Sequence, residues 1–288
     1  MADWQDYTAH DHNDQRAHGL LKILRGLHSP QLNNARDVTV YLPPSYPTRG
    51  DRRYPVLYMH DGQNLFDPRT SFAGEWHVDG VIDAASDEGL EAIVVGIPNM
   101  GAERCNEYSP FDDARHGPAR GDAYLHFVID TLKPIIDADF RTHPVPHQTG
   151  IVGSSMGGLI SLYGFFARPD VFGLTGVMSP ALWYGQREIF SFLEQAHEAR
   201  GRIYVDVGTK EGTEELRDVT RLRDRLLEIG YRHGHDLLFI VDFGAGHNEE
   251  AWARRMKKML EFFYKQQSDA EPAIDAVITS TVTSAHSG

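Results

Sequence analysis

One serine in the sequence stands in a setting suited to nucleophilic chemistry. An apolar run ends in Gly-x-Ser-x-Gly at residues 153–157, and apolar residues at helical spacing follow at once. The pentapeptide alone would also suit a flexible glycine-rich turn. A strand before it and a helix after it, however, predict a nucleophile elbow, in which the serine lies on a strained turn above the sheet. We therefore identify Ser155, rather than Ser154, as the candidate nucleophile.

A serine nucleophile needs a base to accept its proton. The chain has fifteen histidines, so only their positions discriminate between them. His247 directly follows the last predicted strand and precedes the last predicted helix, whereas His233 and His235 come before that strand. Functional sites collect at the C-terminal edge of a parallel sheet. This position favours His247 as the base.

Four carboxylates could orient that base: Asp206, Glu211, Glu214 and Glu215. Asp206 lies between two valines of a predicted strand. Glu214 and Glu215 open a predicted helix, where the helix dipole already accounts for acidic residues. Glu211 lies in a glycine-containing turn and is free to project over the sheet edge. We prefer Glu211, with Asp206 as the alternative.

Two backbone N–H groups are candidates for an oxyanion hole. One belongs to Met156, directly after the serine and at the start of a helix, where free N–H groups and the helix dipole favour negative charge. The other belongs to Gln63 in the loop "HDGQN", where Gly62 permits a tight backbone.

The elements that position these residues alternate along the chain. Nearly continuous apolar runs at 54–60 and 90–98 are typical of strands buried on both faces, and amphipathic helical segments separate the later strands. This pattern predicts an α/β fold with a mostly parallel central sheet flanked by helices on both faces. Two β-like patches within 20–40 predict an antiparallel entry to the sheet. The polar loop 99–121 is expected to lie over the active site.

These elements predict one domain over residues 20–267. A polar N-terminal segment, 1–19, precedes it. A Ser-, Thr- and Ala-rich tail, 268–288, follows it and is expected to be disordered.

Composition excludes several functional classes. The net charge of −13 argues against nucleic acid or an anionic membrane as a partner. A single cysteine, Cys105, excludes an intrachain disulfide and a cysteine-based zinc site. The N-terminus lacks the basic and then apolar character of a secretory signal, and no apolar run approaches the ~20 residues of a membrane span. We therefore expect a cytoplasmic protein with no metal and no cofactor.

Several segments together resemble one family, the esterase D and enterochelin-esterase-like branch of the α/β-hydrolases, often called the "putative esterase" family. The resemblance covers roughly residues 37–265 and rests on "RDVTVYLPPSY", "YPVLYMHDGQNLFD", "NEYSP", "GIVGSSMGGLISL", "SPALW", "VGTKEGT" and "GAGHNEEAW". Members include feruloyl, acetyl xylan and siderophore esterases, S-formylglutathione hydrolase and mycolyl transferases.

This resemblance implies an α/β-hydrolase fold with Ser155 as nucleophile and His247 as base. It also implies that the acid is the carboxylate three positions after Gly208, which is Glu211. The family more often has aspartate there, one methylene shorter.

The sequence thus predicts a serine carboxylesterase that hydrolyses small soluble carboxylic esters or thioesters through an acyl-enzyme. We expect Trp183, Trp76, Glu107 and Tyr108 to border the substrate pocket, with a core position as the alternative for Trp183. Two other functions use the same scaffold: acyl transfer to an alcohol by the same residues, and ligand binding without catalysis. A non-catalytic relative would have lost the serine, the histidine or the oxyanion glycine, and none is missing here. Nothing in the sequence predicts the oligomeric state.

Overall fold

One sheet forms the framework of the structure, and its strands are the apolar runs of the sequence. This computed structural model describes residues 1–9, 19–72, 74–196 and 201–265, within which nine strands form one sheet. The strands are β1 (Gln5–Asp6), β2 (Leu20–Ser29), β3 (Asn34–Leu42), β4 (Val56–His60), β5 (Ile93–Ile97), β6 (Thr149–Ser154), β7 (Leu174–Met178), β8 (Arg202–Gly208) and β9 (Leu237–Asp242).

The α-helices of the same ranges are α1 (Val78–Ala85), α2 (Arg104–Glu107), α3 (Gly121–His126), α4 (Lys133–Asp139), α5 (Met156–Ala167), α6 (Glu188–Gln195), α7 (Thr213–Ile229) and α8 (Glu249–Tyr264). A stretch of π-helix, Phe127–Leu132, joins α3 to α4. Within the described ranges, no helix combines the length and the apolar character needed to cross a membrane.

The strand order across the sheet is β1-β2-β3-β5-β4-β6-β7-β8-β9. The pairs β1–β2, β2–β3 and β3–β5 are antiparallel. Every later neighbour in that order, from β5–β4 to β8–β9, is parallel. The predicted antiparallel entry and mostly parallel sheet are confirmed.

Helices cover both faces of the sheet. Alternate residues of β4 face opposite sides: Val56 and Tyr58 join one core with α3 to α7, while Leu57 and Met59 join a second core with α1 and α8. All five residues of β4 are buried. A strand covered on both faces must be apolar at every position, which is why this one reads as a continuous apolar run.

The N-terminal residues 1–9 belong to the domain, so the predicted boundary at residue 20 is too late. Gln5 pairs with Ile23 at the edge of the sheet, the Trp4 ring packs edge-on against Phe140 with centroids 5.0 Å apart, and the Tyr7 hydroxyl donates to Asp67 at 2.7 Å. Residues 10–18 and the predicted tail at 268–288 lie outside the described residues.

The parallel strands all end at one edge of the sheet. Asp61 follows β4, Ser155 follows β6 and Ser179 follows β7. The loops after β8 and β9 contain Glu211 and His247. Chemistry-bearing residues that are far apart in the sequence therefore meet at this edge.

Candidate active site

Ser155 lies on a strained turn between β6 and α5. Its φ of +56° and ψ of −121° are values that residues with a side chain rarely adopt. The turn is tight, because a Cβ on Gly153 would lie 2.7 Å from the carbonyl carbon of Gly157. The Ser155 N–H donates to the carbonyl of Met178 at 3.0 Å, and its carbonyl accepts from the N–H of Ala181 at 3.0 Å. The predicted strand, turn and helix are all present.

The start of α5 presents backbone donors beside this serine. The N–H of Leu159 donates to the carbonyl of Ser155 at 3.1 Å. By helix geometry, the N–H groups of the preceding residues, Met156 among them, have no partner inside the helix. Such a terminus favours negative charge, as an oxyanion hole requires.

The loop after β4 is the second predicted donor region, and side chains hold it in place. Asp61 has a left-handed backbone with φ +55°, and a Cβ on Gly62 would collide with the backbone of Gly96. Arg104 donates to both carboxylate oxygens of Asp61 at 2.8 Å each, and Asn99 Nδ2 donates to the same carboxylate at 2.7 Å. Burial works against the charge of Arg104, but Asp61 outweighs it and raises the pKa of the guanidinium.

The structure brings His247 and Glu211 together. Their atoms Nδ1 and Oε2 are 2.9 Å apart, with the Glu211 side chain 1% exposed and the His247 side chain 41% exposed. An ionised carboxylate only accepts hydrogen bonds, so Nδ1 carries the proton and Nε2 keeps its lone pair. The His247 ring also meets the Trp252 ring edge-on, with centroids 5.0 Å apart.

Glu211 is held as a carboxylate. Burial raises its pKa, but hydrogen bonds from His247, from the Ser179 hydroxyl at 2.7 Å and from the Gly208 N–H at 2.6 Å outweigh burial and lower it. Glu211 is therefore ionised at neutral pH.

The alternative acid has other partners. Asp206 is fully buried, accepts from the Ser179 N–H at 3.0 Å and pairs with Arg255 at 3.1 Å. Burial raises its pKa to about 6. Glu214 is exposed and pairs with Arg187 at 3.4 Å. Of the four candidate carboxylates, Glu211 is the one hydrogen-bonded to His247.

Sheet register connects this pair to the strand end beside Ser155. Ser154 lies opposite Met178 in the β6–β7 pair, and Met178 lies opposite Asp206 in the β7–β8 pair. Ser179, the next residue, donates to Glu211. A chain of contacts through Met178 and Ser179 thus connects Ser155 to the His247–Glu211 pair.

Comparison with known sequences identifies the family. The sequence model of the family described as "Putative esterase" matches residues 29–263. The chain belongs to this family. It is accordingly a carboxylic ester hydrolase.

Similar proteins include two named esterases of different kinds. The uncharacterized protein YbbA of Bacillus subtilis is 25% identical over 255 residues, which cover 84% of this chain and 97% of YbbA. The endo-1,4-beta-xylanase/feruloyl esterase of Xylanibacter ruminicola is 25% identical over 240 residues, 82% of this chain and 30% of that protein. The siderophore triacetylfusarinine C esterase of Aspergillus fumigatus is 26% identical over 170 residues, 54% of this chain and 56% of that protein.

Solved structures agree on the fold. The BES protein of Bacillus cereus has a TM-score of 0.66 at 20% identity, covering 89% of this chain and 98% of that one. The enterobactin esterase FES of Shigella flexneri has a TM-score of 0.65 at 17% identity, covering 85% of this chain and 59% of that one. This esterase therefore has the α/β-hydrolase fold.

Three predicted pocket residues are instead part of the interior. Trp76 is 2% exposed and packs on Trp252, with ring centroids 5.5 Å apart. Glu107 has no exposed surface and pairs with the buried Arg36 at 3.1 Å. Tyr108 is equally buried, and its hydroxyl accepts from the Asp61 N–H at 3.1 Å. None of these side chains offers a substrate any surface, and this corrects the expectation.

Trp183 is the predicted pocket residue that remains accessible, at 38% exposure. It lies two residues after Ala181, whose N–H donates to the Ser155 carbonyl. The Arg115 guanidinium lies over its ring, 5.5 Å from the centroid. The long loop 99–121 therefore contacts the Trp183 segment through Arg115 and the Asp61 turn through Arg104.

Sequence reasoning missed several residues around Glu211, namely Ser179, Trp252 and Arg255. Ser179 precedes a proline after a predicted strand, and this strand-end position was the available signal. Arg255 is one of several basic residues in the last helix, and only its place on the same helix face as Trp252 and Met259 sets it apart. Within the described ranges no group of His, Cys, Asp and Glu side chains is arranged to hold a metal ion.

A buried histidine beneath the elbow makes the stability of this esterase depend on pH. His60 is 1% exposed, its Nδ1 is 2.7 Å from the Tyr124 hydroxyl, and burial lowers its pKa to about 3. The unfolded chain binds this proton near pH 6.5, so the stabilisation is complete above that pH and is lost as the pH falls towards 3. We expect the free energy of unfolding to fall by about 2–3 kcal/mol between pH 6.5 and 4.5 from this residue.

Urea unfolding at several pH values measures this contribution. The variant His60→Gln is expected to show a shallower fall than wild type. The variant His126→Gln, at an exposed histidine on α3, is the matched substitution control. Equal slopes for His60→Gln and wild type would contradict the assignment.

Proposed function

We propose that this esterase acts through a serine, histidine and glutamate triad, with Ser155 as nucleophile, His247 as base and Glu211 as acid. The observation that carries the proposal is the hydrogen bond of 2.9 Å between His247 Nδ1 and the buried Glu211 carboxylate, one strand end away from the strained Ser155 turn. A carboxylate on Nδ1 fixes the tautomer in which Nε2 accepts a proton.

In the first half of the reaction, His247 Nε2 takes the proton of the Ser155 hydroxyl as its oxygen attacks the ester carbonyl carbon. The carbonyl oxygen becomes an oxyanion, which the N–H groups of Met156 and Gln63 stabilise. The loss of one such donor typically costs ~3 to 4 kcal/mol in the transition state. The intermediate then collapses, the bond to the leaving oxygen or sulfur breaks, and His247 gives its proton to the departing alcohol or thiol.

In the second half, His247 deprotonates a water molecule, which attacks the acyl-enzyme carbonyl. The same N–H groups stabilise the second oxyanion. Its collapse releases the carboxylic acid and returns the proton to Ser155. Glu211 stays ionised throughout and stabilises the imidazolium that forms in each half.

We further propose small esters with a flat apolar group as substrates. Two exposed aromatic rings belong to segments that are hydrogen-bonded to the Ser155 turn and to the turn after β4. Trp183 follows the Ser155 contact at Ala181, and Phe72 is 93% exposed while its N–H donates to Asn64, in the turn after β4. Exposed aromatic rings beside a reactive centre commonly bind ligands.

The nucleophile is tested by hydrolysis of p-nitrophenyl acetate and butyrate. Ser155→Ala is expected to lower kcat by at least about 10³-fold, because it removes the hydroxyl that forms the acyl-enzyme in this mechanism. The matched control Ser154→Ala, at the buried neighbouring hydroxyl, keeps most of the activity. Rapid quenching with mass spectrometry should find the acyl group on Ser155. Equal rates for wild type and Ser155→Ala would exclude the mechanism.

The acid is tested by comparing Glu211→Ala with Asp206→Asn. Glu211→Ala removes the partner of His247 Nδ1 and is expected to lower kcat by about 10²- to 10⁴-fold. Asp206→Asn leaves that hydrogen bond in place and should cost far less. Steady-state kinetics on p-nitrophenyl acetate decides the order, and the reverse order would make Asp206 the acid.

The substrate preference is tested with phenyl acetate and ethyl acetate, which share an acyl group. Trp183→Ala or Phe72→Ala should lower the ratio of kcat/KM for phenyl acetate to kcat/KM for ethyl acetate by about 2- to 10-fold, which corresponds to the free energy of one aromatic contact. The intrinsic reactivity difference between the esters cancels when variants are compared. Leu227→Ala, at a 42% exposed apolar side chain near the end of α7, serves as the control. If the ratio is unchanged in both Trp183→Ala and Phe72→Ala, then neither residue belongs to the substrate site.

A further inference from the structure

Ser179 is the hub of a buried hydrogen-bond network behind Glu211. Its hydroxyl donates to Glu211 Oε1 at 2.7 Å and accepts from Trp252 Nε1 at 3.0 Å and from Arg255 Nη2 at 3.2 Å. The indole N–H and the guanidinium are donors only, and a hydroxyl has one proton to give. The Ser179 proton therefore has Glu211 as its acceptor in this network.

The same contacts fix the rotation of the Glu211 carboxylate. Oε1 accepts from both the Ser179 hydroxyl and the Gly208 N–H, at 2.7 and 2.6 Å. Oε2 is left to accept from His247. One oxygen anchors the carboxylate and the other presents it to the base.

One buried arginine offsets part of the negative charge around this carboxylate. The Arg255 side chain is 5% exposed and lies 3.1 Å from Asp206, 3.8 Å from Glu211 and 3.8 Å from Asp242. Asp206 and Glu211 are 0% and 1% exposed. Asp242 is 25% exposed and also pairs with Arg254 at 3.5 Å. The two buried carboxylates and one guanidinium then leave one net negative charge, which is neutralised when His247 takes a proton.

We propose that Arg255 and Ser179 are positioning residues for the reaction: Ser179 orients Glu211 towards His247, and Arg255 keeps Glu211 ionised by offsetting the charge of Asp206. This inference rests on the proposed triad. It assigns a role to a helix residue that touches neither the substrate nor the base.

The groups that face Glu211 come from three sides. His247 and Arg255 approach from the α8 side. Asp206 lies on β8 with the Tyr204 hydroxyl near it, and Asp242 ends β9. Burial holds the pKa of Asp206 at about 6 even with Arg255 beside it. Without Arg255 both carboxylates lose their buried counter-charge, which raises the pKa of each.

A charge-balanced double variant tests the role of Arg255. Arg255→Met is expected to lower kcat on p-nitrophenyl acetate by about 10²-fold at pH 7 with little change in KM, and to move the acid limb of the kcat/KM profile upward by about one pH unit. Adding Asp206→Asn removes the surplus negative charge. The double variant should regain most of kcat, and the acid limb of its kcat/KM profile should return to the wild-type pH. An arginine with only a structural role would give no such rescue, because a second buried change would add to the loss.

The control is Lys258→Met, at an exposed lysine on α8 that pairs with Glu261, and it should leave both kcat and the profile unchanged. Ser179→Ala is the second variant and retains every charge. It should lower kcat about 10-fold without moving KM, and circular dichroism with urea unfolding checks that each variant is folded. If Arg255→Met fails to fold, the double variant and Ser179→Ala still decide the question.

The inference is overturned if Ser179→Ala leaves kcat unchanged and the double variant Arg255→Met, Asp206→Asn does not regain kcat. The triad itself fails only if Ser155→Ala or Glu211→Ala keeps full activity, so the two failures are distinguishable.

Discussion

The strained backbone of Ser155 is the constraint on which the rest of the site depends. A residue held in such a region costs of the order of 1–3 kcal/mol and persists only where its surroundings impose it. Here several elements together impose the strained conformation on Ser155. Gly153 and Gly157 let α5 pass close to β6, and hydrogen bonds to Met178 and from Ala181 hold the turn on both sides. The serine is therefore positioned by β6, β7 and α5 together and by no single element.

The parallel sheet supplies the remaining geometry. Each group of the proposed site follows a different strand, and adjacent strand ends lie only ~5 Å apart. Ser155, Ser179, Glu211 and His247 are spread over 93 residues of sequence, from 155 to 247. The site thus exists only when β6 to β9 are paired in register, so its assembly coincides with completion of the fold.

Much of this arrangement could be predicted from local sequence. Apolar runs indicate buried strands because a strand covered on both faces has no polar side, and a glycine-flanked serine after such a run indicates an elbow. The position of His247 after the last strand was informative for the same topological reason. The hydrogen bond predicted between His247 and Glu211 is present, although the two residues are 36 apart in sequence.

The errors have a common physical origin. Glu107 and Tyr108, predicted to border the pocket, are buried instead. Their burial depends on partners that local sequence does not reveal, such as Arg36, 71 residues earlier. Arg255 could not be singled out for the same reason, because the sequence of α8 does not show which arginine faces Asp206. Burial of a polar group is decided by its partner, and the partner is non-local.

The doubly anchored carboxylate of Glu211 also has an evolutionary consequence. Aspartate, with one methylene less, cannot reach His247 from the same Cα while keeping the contacts that its longer homologue makes with Ser179 and the Gly208 N–H. A lineage that exchanges glutamate for aspartate at this position must therefore also change the residues that hydrogen-bond to the carboxylate. The acid and its support should be inherited as a unit, with a hydroxyl at position 179 and an arginine at 255 accompanying glutamate at 211.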